Sequence, residues 1–344
     1  MNDMSQQVAL EATEMPARDW IRVLAKYREP IAVRSLFEIA VTFIPFVLLW
    51  VSAVWVMNFS YILGVLLSLG AAMFLVRLFL IQHDCGHGAF FKSRSANTWV
   101  GRILGVLTLT PYDVWRHCHS VHHSSAGNLD KRGLGDIHTL TVTEYNALSW
   151  RKRLQYRLYR HPLVLFGLGP AYLYLLENRL PFGLMKAGRI YWVSSMGTNL
   201  GMAAIIGLGS YFMGLVPFLI VYVVSSLAAA TIGMWLFYVQ HQFEVTHWDN
   251  DEDWDVHEAA LYGSSHYVMP GILRWLTANI GIHHVHHLYS RIPYYRLSQV
   301  LRDHPTLETI SRRLTMWESF KSVKLHLWDE KTRRLVTYRE ARNI

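Results

Sequence analysis

SLFEIAVTFIPFVLLWVSAVWVM, residues 35–57, carries one charged side chain, Glu38. Crossing the hydrocarbon of a bilayer takes about 20 apolar residues, so this stretch decides the class: the chain is a membrane protein. Three more runs of similar length follow, from 61 to about 81, from 190 to 213 and from 215 to 238. Pro45 and Pro217 are tolerable inside them, because neighbouring helices can satisfy the freed carbonyls. Glu38 lies near the start of its run, where it is expected to reach interfacial water. Composition agrees. Of the 344 residues 52% are hydrophobic and 17% charged, against about a quarter charged in soluble domains.

The distribution of basic residues orients the spans. The turn NFS (58–60) and the turn near MGLVP (213–217) hold no Lys or Arg. The basic residues lie before 35, between Arg77 and Arg189, and after Arg274. The positive-inside rule then gives four crossings with both termini and the middle loop in the cytoplasm. The expected organisation is a cytoplasmic segment 1–34 followed by one domain, 35–344, whose cap comprises 82–189 and 239–344. The polar N-terminus is not a cleavable signal peptide. A net charge of +8 suits anionic lipid or an acidic soluble partner. It does not indicate nucleic acid, since the basic residues cluster beside the apolar segments. Cys85 and Cys118 form no CxxC pair, which fits a reducing compartment.

Two stretches have the pattern of helices lying in the membrane interface. ARDWIRVLAKYR (17–28) sets Trp20, Val23, Leu24 and Tyr27 on one face, with Arg22, Lys26 and Arg28 able to snorkel. SWRKRLQYRLYRH (149–161) is similar, and an ordinary basic helix on the cap explains either stretch equally. SVKLHLWDEKTRRLVTY (322–338) reads as a small hairpin.

The chemistry lies in the histidines, all 18 of which fall on the cytoplasmic side of this topology. HDCGH supplies His83 and His87, HSVHH supplies His119, His122 and His123, and HHVHH supplies His283, His286 and His287. Residues three and four apart share a helix face, so each box aims two or three imidazoles at one point. His241 adds a ninth at the end of the fourth run. Nine ligands exceed what one ion can use and fit a two-metal centre. Imidazole suits iron, zinc, copper and nickel. Iron is favoured by a site at the mouth of an apolar bundle, where its task would be oxidation of unactivated C–H bonds with O₂. His117 and His284 sit off the box faces, and His161, His257, His304 and His326 read as hydrogen-bonded surface groups. Asp84, Asp130, Asp136 and Glu244 are candidates to orient the ligands by accepting their second N–H, or else ordinary surface charges. Glu244 and His247 spell one ExxH, the unit of carboxylate-bridged di-iron bundles. A second copy beside a span is missing, so that design is rejected.

HDCGHGAFF, TLTPYDVWRHCHSVHHSSAGNLDKRGLGDIHTLTV, WLFYVQHQFE and WLTANIGIHHVHHLYSRIPYYRL, in this order, resemble the signatures of the integral-membrane histidine-box fatty acid desaturases. The resemblance is closest to their bacterial acyl-lipid branch, of the delta-12/delta-5 kind, and covers nearly the whole chain. It implies an all-α membrane protein with four transmembrane helices under a cytoplasmic helical cap that carries a di-metal site. The implied ligands of two Fe2+ ions are His83, His87, His119, His122, His123, His241, His283, His286 and His287, with Asn279 helping through a water. Asn128, Asp130, Arg132 and Asp136 match the branch pattern GNLDxRGxGD, and would bind a lipid headgroup or brace the centre. His138 and His247 depart from it, standing where the branch often has tryptophan or another aromatic, so chain-length or positional selectivity is in question.

The implied reaction is O₂-dependent cis desaturation of an acyl chain on a membrane glycerolipid. No flavin, haem or iron–sulfur motif is present in the sequence, so electrons would come from an external donor such as a ferredoxin docking on the basic cap. Hydroxylation, ketolation or epoxidation of a lipid or carotenoid is the nearest rival. A histidine-rich metal transporter or sensor would need ionisable groups within the spans, and none lies between Ile190 and Tyr238. A zinc hydrolase would not need nine ligands.

Overall fold

The computed structural model describes residues 15–133 and 135–344; the first part of the N-terminal segment lies outside them. The described chain is predominantly helical. Eight helices frame the site: α1 (Ala32–Val56), α2 (Tyr61–Gly86), α3 (Tyr112–Ser125), α4 (Trp150–Tyr159), α5 (Arg189–Met213), α6 (Leu215–His241), α7 (His283–Leu288) and α8 (Tyr294–Asp303).

α1 and α2 pair across a tight turn in which the Ser60 hydroxyl accepts the Leu63 N–H at 3.3 Å and caps α2. α5 and α6 pair across Gly214, whose φ of +86° is open to glycine at little cost. α2 is central, packing against both α1 and α6. α1, α2 and α6 are long and apolar enough to cross a membrane. α5 has the length, 25 residues, but Ser194, Ser195, Thr198, Asn199 and four glycines dilute its apolar character. α2 and α6 run past the predicted ends of their apolar segments, to Gly86 and His241. These extra turns carry the first box and the ninth histidine beyond the apolar belt.

Glu38 does not reach water. It is 1% exposed, paired with Arg77 of α2 and, at 2.7 Å, with Arg34. The Tyr294 hydroxyl donates to it at 3.0 Å, and the Arg77 guanidinium lies 4.2 Å from the Trp275 ring. The neighbouring helices satisfy this carboxylate in place of solvent.

The two basic amphipathic stretches part company. In residues 17–28, Trp20, Leu24 and Tyr27 are buried. Tyr27 donates to Asp303 at 2.7 Å, and the Trp20 and Tyr27 rings meet His304 edge-on. The apolar face thus packs on α8 and the loop after it, the second of the two readings this stretch allows. In α4, Trp150, Leu154 and Leu158 stay exposed.

The cap is not purely helical. β4 (Leu327–Asp329) and β5 (Arg334–Val336) form the expected hairpin, Leu327 opposite Val336. β1 (Leu140–Thr141) adds in parallel to β4, and β2 (His266–Val268) pairs in parallel with β3 (Arg313–Thr315). All-α therefore becomes helical with two small sheets, because loops between the boxes pair with the C-terminal segment.

Candidate metal centre

α2 delivers His83 and, at its C-cap, His87; α3 delivers His119, His122 and His123; α6 ends on His241; α7 holds His283, His286 and His287. Their ligand atoms converge in two groups, each within 4.8 Å: His83, His87, His119, His123 and His286, then His122, His241, His283 and His287. The boxes are therefore not each aimed at one point. In α3 the i, i+4 pair His119 and His123 enters the first group and His122 the second. In α7 the assignment reverses, His283 and His287 entering the second group and His286 the first. Positions i+3 and i+4 diverge around a helix enough for a box lodged between two sites to serve both.

The short turn before α7 sets that box. Ala278 and Asn279 are left-handed, with φ of +49° and +55°. A Cβ on Gly281 would lie 2.3 Å from the Tyr267 carbonyl oxygen, so only glycine fits. Asn279 donates to the Tyr294 carbonyl at 3.3 Å and accepts from Ser298 at 2.9 Å. Its side chain ties the turn to α8.

The donor set fits metal ions. Nε2 of His119 faces Nε2 of both His87 and His123 at 3.0 and 3.1 Å, and His123 faces His286 at 3.1 Å. In the second group, Nε2 of His241 faces those of His122 and His283 at 3.2 and 2.9 Å. A neutral imidazole has one N–H, so His241 cannot donate to both neighbours. Nε2 of His287 is buried without a hydrogen-bond partner among the described residues. Two nitrogens at right angles on an ion, each about 2.1 Å from it, lie about 3 Å apart, so cations in these groups would satisfy all the facing lone pairs. Burial first, then the charge of neighbouring histidines, pushes His119, His123, His283, His286 and His287 well below the ordinary imidazole value. They are neutral at pH 7, the form that binds metal.

Two carboxylates meet Nδ1 of histidines in the groups. Asp136 bonds Nδ1 of His122. Asp84 lies 3.3 Å from Nδ1 of His83 and accepts the Tyr294 backbone N–H at 2.7 Å. Each arrangement leaves Nε2 as the inward lone pair. The other candidates are elsewhere. Glu244 is exposed and paired with Arg334 at 2.9 Å. Asp130 accepts the Asp251 N–H at 2.8 Å, and Asn128 donates to Asp251 at 2.8 Å. Arg132 grips Glu144 at 2.5 Å. Asn128, Asp130 and Arg132 thus brace the loop that carries Asp136. His284 points away from both groups: its Nε2–H donates to the Leu307 carbonyl at 2.7 Å, and burial pushes its pKa down to about 3. His117 packs on Tyr191, His247 pairs with Asp249 at 2.9 Å, and the His138 ring lies against Tyr156.

The boxes did not reveal Trp115 or Arg160. Trp115 stacks on His119 with ring centres 4.6 Å apart and lies four residues before it, a spacing legible on a helix. Arg160 is 1% exposed with no carboxylate partner among the described residues. It donates to Gln242 at 2.8 Å, Thr139 at 3.2 Å and the Leu325 carbonyl at 2.9 Å, clamping both segments that flank the second group. No local pattern marks it.

One small cavity adjoins the histidines, lined by Asp136, Phe237, His241 and Trp248 among others. A second lies between α2 and α6 and is bounded by Leu75, Phe79, Thr108, Tyr174 and Ala230 among others. Phe79 also packs on Trp115, so this largely apolar space ends behind the first group.

Comparison with known proteins agrees with the site. The family model described as fatty acid desaturase matches residues 58–318. A fatty acid desaturase of Bacillus subtilis is 43% identical over 321 residues, 93% of this chain and 90% of that protein. An sn-1 acyl-lipid omega-3 desaturase (ferredoxin) of Synechocystis is 28% identical, over 64% of this chain and 61% of its own length. An endoplasmic-reticulum omega-3 fatty acid desaturase of Vigna radiata is 30% identical over 65% and 60% respectively. With the boxes, the convergent imidazoles and this likeness over most of its length, the chain belongs to the fatty acid desaturase family.

Proposed function

We propose that the chain is an O₂-dependent di-iron desaturase that introduces a cis double bond into an acyl chain of a membrane glycerolipid. The observation that carries this reading is the convergence of nine histidines into two adjacent groups at one end of an apolar bundle. His83, His87, His119, His123 and His286 would hold one Fe2+ ion, and His122, His241, His283 and His287 the other. Iron bound there would supply O₂ activation for removal of two hydrogens from neighbouring methylenes.

The protein's own part is positioning and exclusion. The cavity between α2 and α6 is the proposed slot for part of the acyl chain. Phe79, in its wall, packs on Trp115, which stacks on His119, and this pair would set one CH₂–CH₂ unit against the first group. Asp84 and Asp136 keep their histidines in the Nδ1–H form. The balance needs two electrons from outside: O₂ takes four in all, two from the methylenes and two from a donor, and leaves as two waters with two protons from solvent. A ferredoxin-like donor is proposed, in keeping with the name of the Synechocystis relative. α5 is proposed as the fourth crossing, with both termini and the cap in the cytoplasm, on the strength of the basic-residue distribution.

The test is expression in a bacterial host without desaturase, beside His286→Ala/His287→Ala. A fatty acid two hydrogens lighter, absent in the variant, is expected, and fragmentation locates the bond. Addition of one oxygen instead would make the enzyme a hydroxylase. No new lipid from iron-loaded protein supplied with a donor would overturn the acyl-lipid reading.

A further inference from the structure

α4 has two opposed faces. Tyr156 and, just past its end, Arg160 are buried in the cap. Trp150, Leu154 and Leu158, spaced i, i+4, i+8, form a stripe on the other side, and they are 70%, 49% and 55% exposed. Singly exposed leucines are ordinary, but an unbroken apolar stripe marks a surface that something covers. Arginines border it on both edges. Arg151, with the exposed Lys152 next to it, flanks one; on the other, Arg153 and Arg157 donate to the Leu148 carbonyl at 3.0 Å and the Tyr145 hydroxyl at 2.6 Å and so belong to the cap. The Arg151 guanidinium lies 5.4 Å from the Trp150 ring.

The stripe continues toward the spans. Leu163 and Leu168 are 74% and 67% exposed. Between them Phe166 packs on Trp235 of α6 at 5.2 Å, and its carbonyl accepts from Thr231 of α6 at 2.9 Å. The apolar ribbon therefore leads to the surface beside a membrane-crossing helix. We infer that α4 is an interfacial anchor, immersing Trp150, Leu154 and Leu158 in the acyl boundary while Arg151 and Lys152 bind anionic phospholipid headgroups. This fits lipid better than a soluble acidic protein, because past His161 and Pro162 the exposed apolar surface resumes at Leu163 and Leu168 beside α6. The inference does not depend on the reaction that the histidines support.

Nitroxide labels at Leu154→Cys and Leu158→Cys test it, in a Cys118→Ser background; the other thiol, Cys85, is buried. Lys331→Cys, in the hairpin turn of the cap, is the aqueous reference. Each is reconstituted in nanodiscs of phosphatidylcholine alone or mixed with phosphatidylglycerol. At 154 and 158, collisions with O₂ are expected to exceed those with a water-soluble nickel chelate, and at 331 the reverse. Immersion should be greater in the anionic discs, and Arg151→Gln/Lys152→Gln should reduce that advantage by about 10-fold. Nickel access at 154 and 158 equal to that at 331 overturns the anchor. Equal immersion in both discs overturns the headgroup preference. Shielding that appears only when an acidic electron-carrier protein is added would assign the stripe to a soluble partner.

Discussion

The two histidine groups differ in how they are built. The first has five imidazoles, three of them only half-buried, and draws two from a single helix end. Its carboxylate, Asp84, is the residue next to His83 and is buried in α2. The second has four, all buried, and its carboxylate comes from the loop around Asp136. That loop turns on Gly135, with φ of +82° and the Cys118 carbonyl oxygen 2.8 Å from where a Cβ would stand. The first group takes four of its five imidazoles as i, i+4 pairs from α2 and α3, whereas the second takes single histidines from α3 and α6 and one pair from α7. The first therefore has one imidazole more than the second.

The largest test of that difference is ligand removal. His287→Ala leaves three imidazoles in the second group, and bound iron should fall from about two ions per chain to about one. His286→Ala leaves four in the first, and the iron count should stay near two with weaker retention. Elemental analysis of purified protein checks both, and an equal loss would break the contrast.

Glu38→Gln probes the bundle beside the first group. Arg77 would keep its buried charge without its closest counter-ion, at a cost of about 3–5 kcal/mol. A lowered thermal midpoint in detergent is expected, with the second group's iron unaffected.

Orientation of ligands gives a smaller effect. Asp136→Asn should weaken iron binding about 10–100-fold at the second group alone, read by chelator competition. Arg160→Met should act in the same direction by freeing the segments around Thr139 and Gln242, and a uniform loss from both groups would contradict the clamp.

The smallest effect lies in the hairpin behind the second group. His326 stacks on Tyr338 with ring centres 4.2 Å apart. Burial, then the charges of Arg160 and Arg157, hold its pKa down to about 4 from an ordinary 6.5. The unfolded chain takes up this proton first. Stability from His326 is therefore complete above about pH 6.5 and is lost as pH falls toward about 4. Amide protection of β4 and β5, corrected for intrinsic exchange, should drop across that window, and His326→Asn should flatten the drop.

Much of the site was legible in the amino-acid sequence, because box spacing is a local property. HxxHH on a helix commits three imidazoles to nearly one direction, and the apolar runs place the boxes at their ends. The hairpin was legible from alternation. By contrast, residues 17–28 and 149–161 carry the same pattern, an apolar stripe edged with basic residues, yet one stripe meets the cap and the other stays exposed. Nothing within either stretch distinguishes them, since the deciding contact, Tyr27 with Asp303, spans most of the chain.

The sequence alone determined membrane class, helix content and the nine histidines, since each follows from runs or spacings within about one helix length. Only the tertiary structure decided how α3 and α7 divide their boxes between two groups, that Asp84 and Asp136 meet Nδ1 of His83 and His122 while Glu244 pairs with Arg334, and that Glu38 is buried against Arg77. The physical reason is common to all three. A side chain's direction comes from its own helix, but its partner comes from whichever distant segment the packing brings to that face.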